Sequence, residues 1–525
     1  MGESRYLFVV KDSKSQSFSR SDDQERRLIH RHAQIDSMHR RCLPPDQTAH
    51  KNEQLAFIQV KPGTRAGTSK GRAITAIPRV PADEMRIIDP FASTVVNVDR
   101  KAHGLLQYFI HVSHPRTWHS EVQNDRTYTF QNDVLALVKG CLENEVHFYT
   151  LLASMASQME YFDLINRDDE TTSQMATKAI GAIRRYLRSS PPIDQRLIFD
   201  IHQMAVTDFY RYELNSALVH LTAAKNLLTN IGGIDRIDPS LREWIVFGDG
   251  YLAAELLQKP LFPASCFDPG DLDQRHGDVV GGHTDATTPW FQEPGYLKIL
   301  PTQMHQVLVD FATTVRAMKQ QFEPEASDRH IPSGSKATLH WVLLRTTALR
   351  HRLLELEIDD GKVDAIRIVL IIWLFNVMTV TGRRRTCKVL ASKLRCRLEG
   401  IEPGDWVGYE DAHLWVLLIG VMSCKTSDRG WFLTAILETA RLDGWETHNS
   451  FREDEFAGLF GRFSYLDTYH QGLLRAATSD LNVLTSPATR DCGASSSMPR
   501  NFPHRIRKTA HADCQDHDQT FWEDQ

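Results

Sequence analysis

The sequence predicts an all-α protein: a large multi-helix regulatory body, with a disordered basic arm before it and a disordered tail after it. Three observations carry this. Apolar residues recur at three- or four-residue intervals, most clearly from Leu214 through Ala217, Leu218, Leu221, Ala224 and Leu228 to Ile231, which trace one helix face. That stretch ends at Gly232-Gly233, a pair suited to the left-handed turn that closes a helix. Runs that alternate apolar and polar residues between hairpin signals are scarce, so no sheet is expected.

The elements follow in order. Residues 24–41 (QERRLIHRHAQIDSMHRR) space Leu28, Ile29, His32 and Ile35 as a short helix ringed by arginines. Residues 42–83 carry Pro44, Pro45, Pro62, Gly63, Gly67, Gly71, Pro78 and Pro81 with no sustained period, the composition of a linker. Helical patterning begins at Leu105, Leu106, Phe109 and Ile110. It continues over 132–161, over 197–231 and over 249–257 as far as Pro260. Residues 263–301 are rich in Pro and Gly and mark a break. Beyond it the helical period returns over 304–322, 337–358, 364–380, 411–424 and 431–442, which makes roughly ten or more helices. From about Ala476 the chain turns polar. The expected organisation is therefore arm and linker over 1–83, helical body over 84–475 and tail over 476–525.

Charge and the chain ends limit the function classes. The net charge of −5 divides into a basic leader, with 15 Lys+Arg against 8 Asp+Glu in residues 1–80, and an acidic remainder at −12. Only the leader suits a polyanion or an import receptor, through Arg26, Arg27, Arg31, Arg40 and Arg41, and it reads equally as a solvated extension. The opening residues have no signal-peptide core, and the apolar run 368–380 (IVLIIWLFNVMTV) is too short for a bilayer. A soluble intracellular protein with no membrane contact is expected. Eight scattered cysteines contain no C-x-x-C, so neither a zinc ribbon nor a redox pair is supported, and reduced thiols are the default.

The sequence carries no G-x-G-x-x-G, Walker A or H-E-x-x-H. The expectation is a non-enzyme with no cofactor and no metal. His111, His114 and His119 lie close in sequence, but Pro115 interrupts any helix that would align them, and loop histidines are the simpler reading. Asp268, Asp271, Asp273 and Asp278 resemble calcium ligands only in part and read as a solvated acidic loop. Arg383-Arg384-Arg385 reads as a phosphate or import contact, or more simply as cations at the C-terminal end of the preceding helix. Trp373, Trp415 and Trp431 are expected in the core, and His220 as a hydrogen-bonded interior histidine.

The order of several motifs resembles the fungal-specific transcription factor domain proteins, in the branch without an N-terminal zinc cluster. The likeness spans about residues 5–475. It runs through Phe8-Val9-Val10-Lys11, the arginine-rich arm, Asp89-Pro90-Phe91 and Leu105-Leu106-Gln107-Tyr108-Phe109. It continues with Ala217, His220-Leu221, Gly232-Gly233, Asp249, Ala253-Ala254, Pro260 and Phe262. It closes on Leu414-Trp415-Val416-Leu417-Leu418-Ile419-Gly420 and Arg429-Gly430-Trp431-Phe432. Val10 departs from the family, which often has Asn there. The resemblance implies a nuclear, all-α transcription regulator, by family analogy controlling a metabolic gene cluster, with a body that binds a small effector or partner. A binuclear zinc cluster needs six cysteines within about thirty residues. The first 80 residues hold only Cys42, so DNA contact falls to the basic arm, to a partner regulator or to an exon upstream of Met1. The alternative is a helical interaction scaffold that does not bind DNA.

Overall fold

The computed structural model describes residues 95–114, 134–162, 164–165, 170–189, 193–272, 289–322, 335–377, 383–442 and 451–485. Among the described residues there are sixteen α-helices and no strand, so the all-α expectation holds. The arm, with Arg26, Arg27, Arg31, Arg40 and Arg41, lies outside the described residues, as does the chain beyond 485.

The first four helices are α1 (Arg100–Tyr108), α2 (Val134–Leu142), α3 (Glu145–Tyr161) and α4 (Thr171–Arg188). Their starts are written in the sequence. The Asp99 carboxylate accepts from the Ala102 amide, and Asn144 accepts from the amides of Val146 and His147, each satisfying N–H groups that the helix leaves bare. Asn144 therefore splits the expected single segment 132–161 in two. These helices share a core that includes Leu105, Phe109, Phe148, Leu152, Met155 and Met175. Between α1 and His114 the ladder widens to a π-turn, Phe109–Ser113.

Next come α5 (Gln195–Tyr210), α6 (Leu214–Asn230) and α7 (Pro239–Leu256). The stripe expected over 197–231 is likewise two helices, because Tyr212 adopts a left-handed conformation (φ 63°) and turns the chain. Gly232 and Gly233 stop α6 as expected. Both have φ near +100°, and the Gly233 amide returns to the Leu228 carbonyl. Asp238 caps α7 with Pro239 in its first turn.

The remaining helices are α8 (Pro294–Ile299), α9 (Thr302–Phe322), α10 (Ser335–Glu355), α11 (Gly361–Val377), α12 (Arg383–Glu399), α13 (Glu410–Ser423), α14 (Thr426–Leu442), α15 (Glu453–Phe463) and α16 (Asp467–Thr485). Neighbours in sequence pack together, with α5 on α6, α9 on α10, α11 on α12 and α13 on α14. α11 holds much of the apolar run 368–380 and is buried along its whole length from Val363 to Val377. It is a core helix, as its length requires. Among the described residues no helix is long and apolar enough to cross a membrane.

Several expectations need correction. The break at 263–301 is packed where it is described: Ala264, Phe267, Trp290, Phe291, Tyr296 and Leu300 are all buried. The tail does not begin at 476, because α16 runs to Thr485 with Leu474, Ala477 and Leu481 sealed in the core. Arg383–Arg385 opens α12 instead of closing α11, and Arg385 is buried. Trp373 and Trp415 are fully buried as expected, whereas Trp431 is only half-buried, under the Arg395 guanidinium.

Candidate functional site

A cavity of about 100 Å³ opens between α3, α5, α6 and α7. Helical periodicity builds it. On α5, His202, Ala205, Val206 and Phe209 stand at successive three- and four-residue steps and share a face. On α7, Trp244, Phe247, Gly248, Tyr251 and Leu252 do the same. Ala217 and Leu221, one turn apart on α6, close a third side. The π-turn turns Ser113 inward, and its hydroxyl donates to the Gln158 side-chain carbonyl at 2.9 Å. Among the described residues that line the cavity there is no Asp, Glu, Lys or Arg.

His202 is the chemically distinctive wall. It is 2% exposed, and neither ring nitrogen completes a hydrogen bond of acceptable geometry, although the Trp244 backbone lies close enough to influence it. Burial pushes its pKa down to about 4, so the ring is neutral near pH 7. A Cβ on Gly248 would stand 2.6 Å from Nε2 of His202. Only glycine lets the two helices place the imidazole there.

The next two residues repeat the device. A Cβ on Gly250 would lie 2.8 Å from Nε2 of His351 on α10. The His351 ring sits between the Phe262 carbonyl (2.9 Å, from Nδ1) and the Val246 carbonyl (3.1 Å, from Nε2). Burial again lowers its pKa to about 4. Asp249, between the glycines, accepts from the amides of Leu261 and Phe262 at 3.0 and 2.8 Å, and burial raises its pKa to about 7. This ties the loop after Pro260 to the cavity wall.

One corner of the cavity leads to a caged ion pair. Arg385 donates to Glu255 at 2.8 and 3.1 Å and to the Phe209 carbonyl, and Thr386 donates to the other Glu255 oxygen at 2.8 Å. The guanidinium lies 3.7 Å from the Tyr212 ring centre and 4.2 Å from that of Phe209, with Tyr161 farther out at 5.8 Å. Burial raises the Glu255 pKa, and Arg385 and Thr386 oppose that rise.

The other sequence candidates disperse. His111 is exposed and His114 buried edge-on to Phe109, while His119 lies outside the described residues. Asp268 is held by Arg345, which also meets Asp310 at 3.1 Å and Asp271 at 3.7 Å, so this acidic loop is neutralised by a buried cation; Asp273 and Asp278 lie outside the described residues. Among the described residues no three His, Cys, Asp or Glu side chains are grouped to hold a metal ion. His220 is half-buried, with Nε2 3.3 Å from an Asp208 carboxylate oxygen, and it reaches the surface instead of lying in the interior. Sequence reasoning passed over His202. The available signal was the aromatic stripe Trp244, Phe247 and Tyr251, interrupted by a glycine on its own face.

No protein-family model, curated protein or solved structure matches the chain.

Proposed function

We propose that this chain is a transcriptional regulator of fungal type whose helical body binds a small effector. The observation that carries the reading is the cavity: it is mostly apolar, its described lining holds no Asp, Glu, Lys or Arg, and a buried imidazole forms part of its wall. Ligand sites in helical proteins characteristically combine a mostly apolar lining with a few placed polar groups. The sequence resemblance supports the same reading, since Ala217 lines the cavity and Asp249 anchors the loop that carries Phe262 behind it.

In this reading the protein is nuclear. Its basic arm, through Arg26, Arg27, Arg31, Arg40 and Arg41, contacts DNA phosphates or the import receptor, or a partner regulator supplies the DNA contact. Phosphate contacts give affinity that falls steeply with salt and little base selectivity. The body is non-catalytic, and effector binding regulates a metabolic gene cluster.

The test is promoter occupancy of the tagged protein beside a variant with Arg26, Arg27, Arg40 and Arg41→Ala, each with matching transcript measurements. Enriched promoters that depend on the arm are expected. A nuclear protein with no enriched promoter and unchanged transcripts overturns the regulator reading and favours a helical scaffold that does not touch DNA.

A further inference from the structure

One outer face of the helical body suits a polyanion. Resting on the reading of this chain as a transcription regulator, we propose that the exposed side of α4, with the start of α5 beside it, docks on the phosphate backbone of duplex DNA through Lys178, Arg184, Arg185, Arg188 and Arg196.

The residues set the face. The chain beyond residue 80 is acidic, at −12, yet the 18 residues of α4 hold four cations and no Asp or Glu. One side of the helix is fixed in the fold: Met175, Ala176, Ala179 and Ala182 are buried, and α4 packs on α3. The other side is exposed at Gln174, Thr177, Lys178, Arg184, Arg185 and Arg188, which recur at the helical period around Gly181. From Lys178 to Arg188 the helix rises about 15 Å, and duplex DNA carries about one charge per 1.7 Å of its own axis. A fifth cation adjoins. Burial raises the Tyr186 pKa, Asp194 and Asp200 add to the rise, and Arg196 opposes it, which sets exposed Arg196, in the first turn of α5, beside the last turn of α4.

The neighbouring acids are already engaged or distant. Glu145 accepts from Arg185 at 2.8 Å, and Asp194 caps α5 by accepting from the Leu197 amide at 3.0 Å. Glu170 precedes α4, at the end of the helix away from the arginines. Among the described residues Lys178, Arg184 and Arg188 form no ion pair. Cations in a last turn suit the helix dipole. That accounts neither for Lys178, nearly three turns earlier, nor for Arg196 on the next helix.

The partner follows from this chemistry. A guanidinium takes phosphate oxygens two at a time, and Arg184 and Arg188, four residues apart, stand about 6 Å from each other on the surface. A membrane-surface helix must lay its apolar side into lipid, and the apolar side of α4 is spent on the core. Contacts of this kind hold the backbone without reading bases.

The experiment is fluorescence-anisotropy titration of a short DNA duplex with the full chain between about 50 and 200 mM salt. Every protein carries Arg26, Arg27, Arg40 and Arg41→Ala, so that the body is read apart from the arm. To this parent are added Lys178→Gln, Arg184→Gln and Arg188→Gln, or, as a control of equal net charge, Lys259→Gln, Lys298→Gln and Arg316→Gln at exposed cations elsewhere. Arg185 is kept because it holds Glu145. Each phosphate contact removed should lower the salt slope by about 0.9, so the parent should lose about fortyfold more affinity over this range than the α4 variant. The control should keep the parent's affinity and slope. An unchanged slope in the α4 variant, an equal loss in the control, or no duplex binding by the parent at the lowest salt overturns the assignment. So does α4-dependent binding of phosphatidylserine vesicles or polyglutamate as tight as that of DNA. If the triple α4 variant fails to fold, Arg184→Gln and Arg188→Gln made singly carry the same test, each lowering the slope by about 0.9. An unchanged slope leaves the regulator reading standing on the arm. An α4-dependent slope in a protein that occupies no promoter fails that reading and leaves this surface as a measured DNA contact.

Discussion

Arg385 is where single residues matter most to this fold. It reaches from the start of α12 to Glu255 on α7, to the Phe209 carbonyl at the end of α5, and to the ring of Tyr212 in the turn that follows. Both members of the ion pair are almost wholly buried. Taking two charges out of water is expensive, and their attraction recovers that cost only while both are present. Glu255→Leu should therefore lower the unfolding free energy by about 3–5 kcal/mol, because it strands a buried cation. The double variant Glu255→Leu with Arg385→Met should cost clearly less than the two single changes added together. Urea unfolding of the four proteins measures this directly, and strict additivity would show that the pair is not coupled. Tyr212 belongs to the same unit. A bulky residue with φ of 63° is strained, and its contact with the guanidinium offsets that strain.

At the scale of elements, the last helix gives the sharpest test. α16 seals Leu481 in the core. Asn482 accepts from the Phe451 amide at 2.7 Å and donates to the Phe451 carbonyl at 3.0 Å, and Arg429 holds Asp480. Truncation after Thr485 should leave the melting temperature unchanged, whereas truncation after Arg475 should lower it by several degrees or prevent folding. Equal melting of the two truncations would place the end of the folded body before 476. α13 and α14 meet at a closer point, where a Cβ on Gly420 would fall 2.2 Å from the Phe432 ring. Gly420→Ala should cost about 1–3 kcal/mol by overpacking, and Phe432→Leu should recover part of it, as read from chemical denaturation.

These elements also show what was legible before the structure. The stripe through Leu214 and Ile231, the glycine stop and the buried tryptophans could be read because each depends on neighbours three or four residues away. α16 was passed over because its apolar positions are diluted by Asp, Thr, Asn and Gln, and tertiary contacts supply the order that local pattern does not. Arg383–Arg385 reads in sequence as the end of the preceding apolar helix because it follows closely on it, whereas the described helix that contains it, α12, begins at Arg383. The cavity could not be read at all. Its wall comes from Ser113, Gln158, His202, Ala217 and Gly248, which only folding brings together.

For the molecule as a whole, buried titratable groups set opposite responses to pH. Burial pushes the pKa of His470 down to about 3, within a shell of Trp373, Phe460, Tyr465 and Tyr469. An unfolded histidine takes a proton near pH 6.5, and the folded one refuses it. Stability from this site is complete above about 6.5 and is lost as pH falls toward the folded value. Asp249 acts in reverse. Its folded pKa of about 7 lies above the ordinary carboxylate value, so its contribution is complete at low pH and is lost as pH rises to about 7. Between about pH 4 and 6.5, replacing either group should change the slope of unfolding free energy against pH by about 1.4 kcal/mol per unit. His470→Phe should make the slope less positive, and Asp249→Asn should make it less negative. Denaturation across that range checks both signs, and a shared sign would refute this assignment of the two groups.

The placing of the tryptophans gives the molecule an internal optical gauge. Trp373 and Trp415 are sealed from water, so their emission is expected at short wavelength and indifferent to small solutes. Trp244 stands apart from them, half-buried against Phe199 and forming part of the cavity wall. A solute entering that space changes the surroundings of Trp244 and leaves the sealed indoles as a constant background. Fluorescence titration with a small apolar solute such as toluene should then report occupancy without any added label. In a Trp244→Phe protein the background should persist while the concentration-dependent change disappears.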